Sequence, residues 1–200
     1  MRAALLAVAC AALVTGGAAL ATAAEQPRVT LIGDSIAASF DYVPAARKYL
    51  GNGLDLRTDA MVCRRLVAAS CVFQGTQPAT VLELARSRAS TFGPVVVVDV
   101  GYNDWAAVYR IDKVMLAFKA AKVRTVVWVT LRKSSANYAS INAAIRKAAR
   151  RWPNLVVADW DAYSREKPWF RSDGLHLTST GARGLSHLLR PIVLAELAGP

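Results

Sequence analysis

The stretch Val95-Val96-Val97-Val98-Asp99-Val100 decides the fold. A run of β-branched residues with almost no polar alternation reads as a strand covered on both faces, the pattern found at the centre of a parallel sheet. Working outward, Val29-Thr30-Leu31-Ile32 is a second buried strand ending at Gly33. Residues 54–58 alternate as a half-buried strand, and residues 125–131 and 155–158 supply two more. Helical periodicity fills the gaps at 36–50, 80–90, 111–122, 138–152 and 181–197. Trp152-Pro153 stops the fourth of these helices, and Pro191 inside the last predicts a kink. Strands joined by helical crossovers give a three-layer α/β/α sandwich with a five-stranded parallel sheet, a flavodoxin-like arrangement that binds ligands beyond the carboxyl ends of its strands.

That rule makes a test of the polar residues in the loops. Ser35 follows the first strand, Cys63 the second, Asn103 the third, and Asp173 with His176 the fifth. All fall on one edge of the sheet, which a chance scatter of reactive residues would not be expected to do.

The chain begins with Arg2 and an Ala/Leu/Val-rich run that ends in Ala21-Thr22-Ala23-Ala24 before the polar Glu25-Gln26-Pro27. This is the pattern of a cleaved signal peptide over residues 1–24, which places the protein in a secreted or extracytoplasmic compartment and leaves one domain over residues 25–200. A retained membrane anchor fits less well, because the run is rich in small residues and no Lys or Arg cluster follows it. Cys10 interrupts the apolar run and Ala7-Val8-Ala9 lacks the leucine of a lipoprotein signal. Of three cysteines, Cys63 and Cys71 then remain. In an exported protein they read as a disulfide, worth about 2 to 3 kcal/mol for so short a loop, with two buried thiols as the alternative.

With 25 Lys and Arg against 14 Asp and Glu, the net charge is +11. Arg146, Lys147, Arg150 and Arg151 cluster on one helical stretch. Nucleic-acid binding would require interleaved aromatics or a groove-binding motif, and neither is present. The cluster reads as a solvated helix face, or as a contact for anionic wall or membrane polymers.

Three short segments carry chemistry: Gly33-Asp34-Ser35, Gly101-Tyr102-Asn103-Asp104 and Asp173-Gly174-Leu175-His176. Acyl transfer by serine needs a hydroxyl, a base, a group that orients the base, and donors for the charge developing on the carbonyl oxygen. Ser35 stands between a buried strand and a helix, where the bland role is an N-cap. His176 is the base of choice, since the other histidine, His187, shares a helical face with Arg183 and Arg190 and points to solvent. Asp173 is placed to hold the imidazole. Asn103 can aim an amide at an oxyanion, and Gly33 and Gly101 let the backbone come close. Asp34 and Asp104 read as structural acceptors for loop N–H groups. A paired-carboxylate mechanism would leave Ser35, Asn103 and His176 unexplained.

Together these segments resemble the first, third and fifth sequence blocks of the SGNH hydrolases, the GDSL-type esterases and lipases, in order and across essentially the whole mature chain. The resemblance implies an esterase in which Ser35 is the nucleophile, His176 the base, Asp173 its partner, and the Ser35 N–H and Asn103 oxyanion donors. It implies no metal and no organic cofactor. The second block departs from the pattern. The family offers a glycine N–H there, whereas Thr58-Asp59-Ala60-Met61-Val62-Cys63-Arg64-Arg65 has none, and Cys63 takes the place. A non-glycine residue can donate there if its backbone avoids positive φ, with a Cys63–Cys71 bridge fixing the geometry; otherwise the hole has lost a donor. Tyr102, Trp105, Trp160, Trp169 and Phe170 flank these segments as a substrate lining or as small core anchors. The expected partner is a small, polysaccharide or lipid ester carrying a short acyl or O-acetyl group, met by a monomer. An acyltransferase with the same triad and a non-catalytic binder of wall polyanions are the alternatives.

Overall fold

In a computed structural model that describes residues 25–132 and 134–199, the chain forms β1 (Arg28–Gly33), α1 (Ser39–Tyr42), α2 (Pro44–Gly51), β2 (Asp55–Ala60), α3 (Val81–Ser87), β3 (Val95–Asp99), α4 (Ile111–Ala120), β4 (Thr125–Val129), α5 (Ala136–Ala149), β5 (Leu155–Ala158), α6 (Trp160–Tyr163) and α7 (Ser179–Ala198). The proposed signal peptide and Cys10 lie outside the described residues. All strand pairs are parallel, in the order β2-β1-β3-β4-β5. The order reverses between β1 and β3, which is where an open α/β sheet forms its ligand crevice.

Val95 to Val98 are wholly buried, as their unbroken apolar run requires. One layer is built from α1, α2 and α7, which pack on one another, and the other from α3, α4 and α5. The valines of β3 and β4 and the large rings Trp128, Phe118 and Phe40 fill the core between sheet and helices.

Three helices differ from expectation, of which the one expected over 138–152 only shifts, to Ala136–Ala149, ending before Trp152-Pro153. The span 36–50 is not one helix: residues 35–38 form a succession of tight turns, and Val43 at φ −122° and ψ 77° separates α1 from α2. Pro44 is the cause. It excludes the α conformation from the residue before it and starts a new helix at its own fixed φ. The span 80–90 shortens to α3, because Thr80 is the cap and not the first turn. Its hydroxyl accepts from Glu83 N (3.1 Å) while the Glu83 carboxylate accepts from Thr80 N (2.8 Å), a reciprocal capping box. Helix α7 continues through Pro191 to Ala198.

The basic cluster is only partly free. Arg146 donates to Asp159 (2.8 Å) and Arg151 to Asp112 (2.8 Å). His187 is exposed, as expected, and its ring meets that of Tyr49 at a tilt, 4.1 Å between centroids.

Candidate active site

The first β-strand ends in Gly33, where a Cβ would stand 2.0 Å from that of Ala37, so only glycine lets the chain turn so sharply at the strand end. Asp34 is completely buried just beyond it. Its Oδ1 accepts from Ile36 N (3.0 Å), and its Oδ2 from Gly101 N (3.1 Å) and Tyr102 N (3.1 Å). One carboxylate therefore clamps the loop after β1 to the loop after β3, as the sequence implied. Burial pushes its pKa up to about 6, against the lowering effect of those three N–H groups. Asp99, beneath it at the end of β3, is also buried, and neither of its carboxyl oxygens has a partner. Desolvation, reinforced by the Asp34 charge, holds its pKa well above the usual carboxylate range.

Asp34 N is bonded to Asp99 O and Ile36 N to Asp34 Oδ1. Neither bond uses the N–H of Ser35 between them. The N-cap role is absent: α1 begins four residues later and its cap, Ala38, makes no side-chain bond. Instead Ser35 Oγ lies 3.1 Å from His176 Nε2. The imidazole Nδ1 is 2.8 Å from Asp173 Oδ2, and the other carboxylate oxygen accepts from Leu175 N (2.8 Å) and His176 N (2.9 Å). Those two amides and the imidazole hold the Asp173 pKa down to about 2. With Asp173 ionised, the histidine tautomer that satisfies the network carries its proton on Nδ1, leaving the Nε2 lone pair facing the serine.

A tight hairpin fixes this pair. Phe170 bridges Leu177, Arg171 N donates to His176 O (2.7 Å), and Gly174 turns at φ +67°. Arg132, which sequence reading passed over, donates to Gly174 O and lays its guanidinium over the Phe170 ring at 4.1 Å. The side chains of His176 and Asp173 remain 36% and 48% exposed, so this hydrogen-bonded set sits at an open surface.

On the opposite side, Asn103 Nδ2 donates to Arg64 O (3.3 Å) and keeps a second N–H. Both carboxylate oxygens of Asp104 accept from Leu66 N (3.2 and 3.1 Å), tying the loop after β3 to the loop after β2. Burial raises the Asp104 pKa to about 7. Cys63 is joined to Cys71 by a disulfide, which settles the choice between bridge and free thiols. Its backbone corrects one expectation: Cys63 does not avoid positive φ but adopts +72°, the left-handed conformation that glycine takes most easily.

The aromatic residues divide by role. Tyr102 is buried, its hydroxyl accepts from Arg132 N (2.7 Å), and its ring meets Tyr138 edge-on. Trp169 stacks on Trp160 at 5.7 Å and lies against Gly184, where a Cβ would come 2.7 Å from its ring. Both side chains are occupied with packing. Trp105 is 66% exposed beside Asn103 and Asp104, and Tyr42, also exposed, lies under the Arg171 guanidinium at 5.2 Å. Among the described residues, no group of three or more His, Cys, Asp or Glu is placed to hold a metal ion. A separate cleft of about 630 Å³, lined in part by Arg28, Thr30, Arg57 and Arg88, touches none of Ser35, Asp173 and His176.

Solved structures place the fold among known ones. It is that of the SGNH hydrolases. TesA superposes with a TM-score of 0.65 at 14% identity, covering 84% of this chain and 99% of its own. The psychrotrophic esterase EstA from Pseudoalteromonas sp., in a structure inhibited by monoethylphosphonate, gives 0.56 at 12% identity over 86% and 100%. A protein from Desulfitobacterium hafniense DCB-2, named for the G-D-S-L lipolytic family, gives 0.54 at 12% over 83% and 99%. No family model and no curated protein sequence matches the chain.

Proposed function

We propose that the protein is a serine esterase that works through an acyl-serine. The observation that carries this is the unbroken contact series from Ser35 Oγ to His176 Nε2 and from His176 Nδ1 to the Asp173 carboxylate. Ser35 Oγ attacks the ester carbonyl carbon while its proton passes to His176 Nε2, and the Nδ1–H to Asp173 bond stabilises the imidazolium that forms. The carbonyl oxygen becomes an oxyanion facing the N–H of Ser35, the free N–H of Asn103 and the N–H of Cys63, which in this reading donates from its left-handed backbone and not from the negative φ expected of a non-glycine residue. Collapse breaks the bond to the leaving oxygen, which departs as an alcohol with the proton from Nε2. Water then gives a proton to Nε2 as its oxygen attacks the acyl-serine, and collapse breaks the bond to Ser35 Oγ, which takes the proton back from Nε2 as the carboxylic acid leaves.

The open, solvent-exposed site favours small acyl groups, such as short-chain or O-acetyl esters, over long buried chains. The Cys63–Cys71 disulfide supports an extracytoplasmic location after removal of residues 1–24, since disulfides persist in oxidising compartments. No helix among the described residues is long and apolar enough to cross a membrane. The test is hydrolysis of p-nitrophenyl acetate by the mature protein beside Ser35→Ala and His176→Ala: both variants should lose turnover while keeping the fold. Activity that survives Ser35→Ala would overturn the proposal.

The net charge of +11 favours a second reading, a binder of anionic polymers; the arginines of the cleft of about 630 Å³ do not add to it, since Arg28, Arg57 and Arg88 pair with Asp55 and Asp59. This second reading predicts retention on an anionic polysaccharide that is lost at high salt and indifferent to Ser35→Ala.

A further inference from the structure

The geometry points to Arg64 as a positioning residue for the oxyanion site, and the inference rests on the esterase reading above. Arg64 is 1% exposed, among the largest fully buried side chains of the protein, and it lies in a loop where an arginine would ordinarily reach solvent. Its guanidinium meets three segments. Nη1 donates to Gly33 O at the end of β1 (3.3 Å) and to Asp59 O near the end of β2. Nη2 donates to Asp59 Oδ1 (2.7 Å), and Nε donates to Ala79 O (3.0 Å), just before the cap of α3. A fourth segment is reached through its backbone, since Arg64 O accepts from Asn103 Nδ2.

These bonds converge on the three groups assigned to the oxyanion. Gly33 precedes the Asp34-Ser35 turn and also accepts from Met61 N (3.0 Å), so the serine turn and the Cys63 loop share one carbonyl. Cys63 is the neighbour of Arg64 and carries the left-handed backbone. Asn103 is oriented by the Arg64 carbonyl. A guanidinium suits this place because its planar fork presents five donors in fixed directions, whereas a lysine offers one small cation that cannot meet three carbonyls and a carboxylate together. The buried charge is matched by Asp59, which also pairs with Arg88 at 3.0 Å. Arg64 touches no reacting atom. It acts by fixing where Ser35 N, Cys63 N and Asn103 Nδ2 stand.

The test compares Arg64→Lys and Arg64→Met with wild type in kcat and KM for p-nitrophenyl acetate, with circular dichroism melts confirming the fold at the assay temperature. Misplacing preorganised donors lowers kcat and leaves ground-state binding nearly untouched, so Arg64→Lys should lose about 10- to 100-fold in kcat with KM within about threefold. Coupling supplies a readout that a purely stabilising residue would not move. Because both residues act on one oxyanion site, the loss in Arg64→Lys with Asn103→Ala should be clearly smaller than the product of the two single losses, although larger than for Asn103→Ala alone, since Arg64 also holds Ser35 N and Cys63 N. Independent effects that multiply in the double variant, or folded Arg64 variants with unchanged kcat, would overturn the inference. If neither replacement folds, Asp59→Asn, which loosens the guanidinium without removing it, carries the same expectation of reduced kcat at constant KM, and unchanged kcat there overturns it. Failure of the esterase reading is separately visible, since wild type itself would then show no Ser35-dependent turnover.

Discussion

Replacing Cys71 with serine opens the disulfide and releases a residue held in an unfavourable conformation. The bridge spans a sequence separation of 8, for which the chain-entropy relation gives about 2.5 kcal/mol. In a domain of this size that corresponds to a fall in Tm of about 5 to 10 °C. Cys63, at φ +72°, also stores about 1 to 2 kcal/mol of left-handed strain that the closed bridge sustains. Once the bridge is open, relaxation swings the Cys63 N–H away, and kcat should fall by up to the about 10²-fold that loss of one oxyanion donor costs. Glycine at position 63 takes the same conformation without strain. The double variant Cys63→Gly/Cys71→Ser should therefore recover kcat to within about threefold of wild type while its Tm stays low. The assay is p-nitrophenyl acetate hydrolysis beside thermal melts of all three proteins. A folded Cys71→Ser with unchanged kcat would refute the reasoning, as would a double variant no faster than the single one.

Asp34→Ala leaves the N–H groups of Ile36, Gly101 and Tyr102 without their buried acceptor, and urea titration should show a loss of about 3 kcal/mol or more. Asp173→Asn keeps an acceptor for Leu175 N and His176 N but presents an amide N–H₂ to the imidazole. It should lower kcat by about 10³- to 10⁴-fold with little change in Tm. Asp104 is raised from 3.8 to about 7, so between those values the folded state holds a proton that the unfolded chain releases, and this carboxyl lowers stability as pH rises. Asp104→Asn removes that slope: relative to wild type the variant should gain stability between pH 4 and pH 8, by at most about 4 kcal/mol, in denaturant titrations at both pH values.

Much of the fold is legible in the sequence because parallel strands buried on both faces must be continuously apolar. The valines from Val95 to Val98 and the run Val29 to Ile32 therefore declare themselves. The site is legible for a related reason: residues that follow strand ends in a βα series share one edge, and Ser35, Cys63, Asn103 and His176 are such residues. The break at Val43-Pro44 was written in the proline but outweighed by the periodicity around it. The burial of Arg64 had no local signal, since an arginine in a loop reads as solvated until Gly33, Asp59 and Ala79 are brought around it. The backbone of Cys63 was equally hidden, because a disulfide can hold a conformation that residue preference argues against. Asp99 could be seen as a polar interruption in an apolar strand, but its raised pKa follows from its burial and, secondarily, from the nearby Asp34 charge, neither of which is local to the sequence.

The central claim is that Ser35 is an activated nucleophile, and covalent labelling tests it most directly. The mature protein would be incubated with a p-nitrophenyl alkylphosphonate, weighed intact, and mapped by peptide fragmentation. The account predicts one phosphonyl adduct per chain, on Ser35, absent from Ser35→Ala and much slower to form in His176→Ala. Folded protein that takes up no adduct, or carries it on another residue, would contradict it.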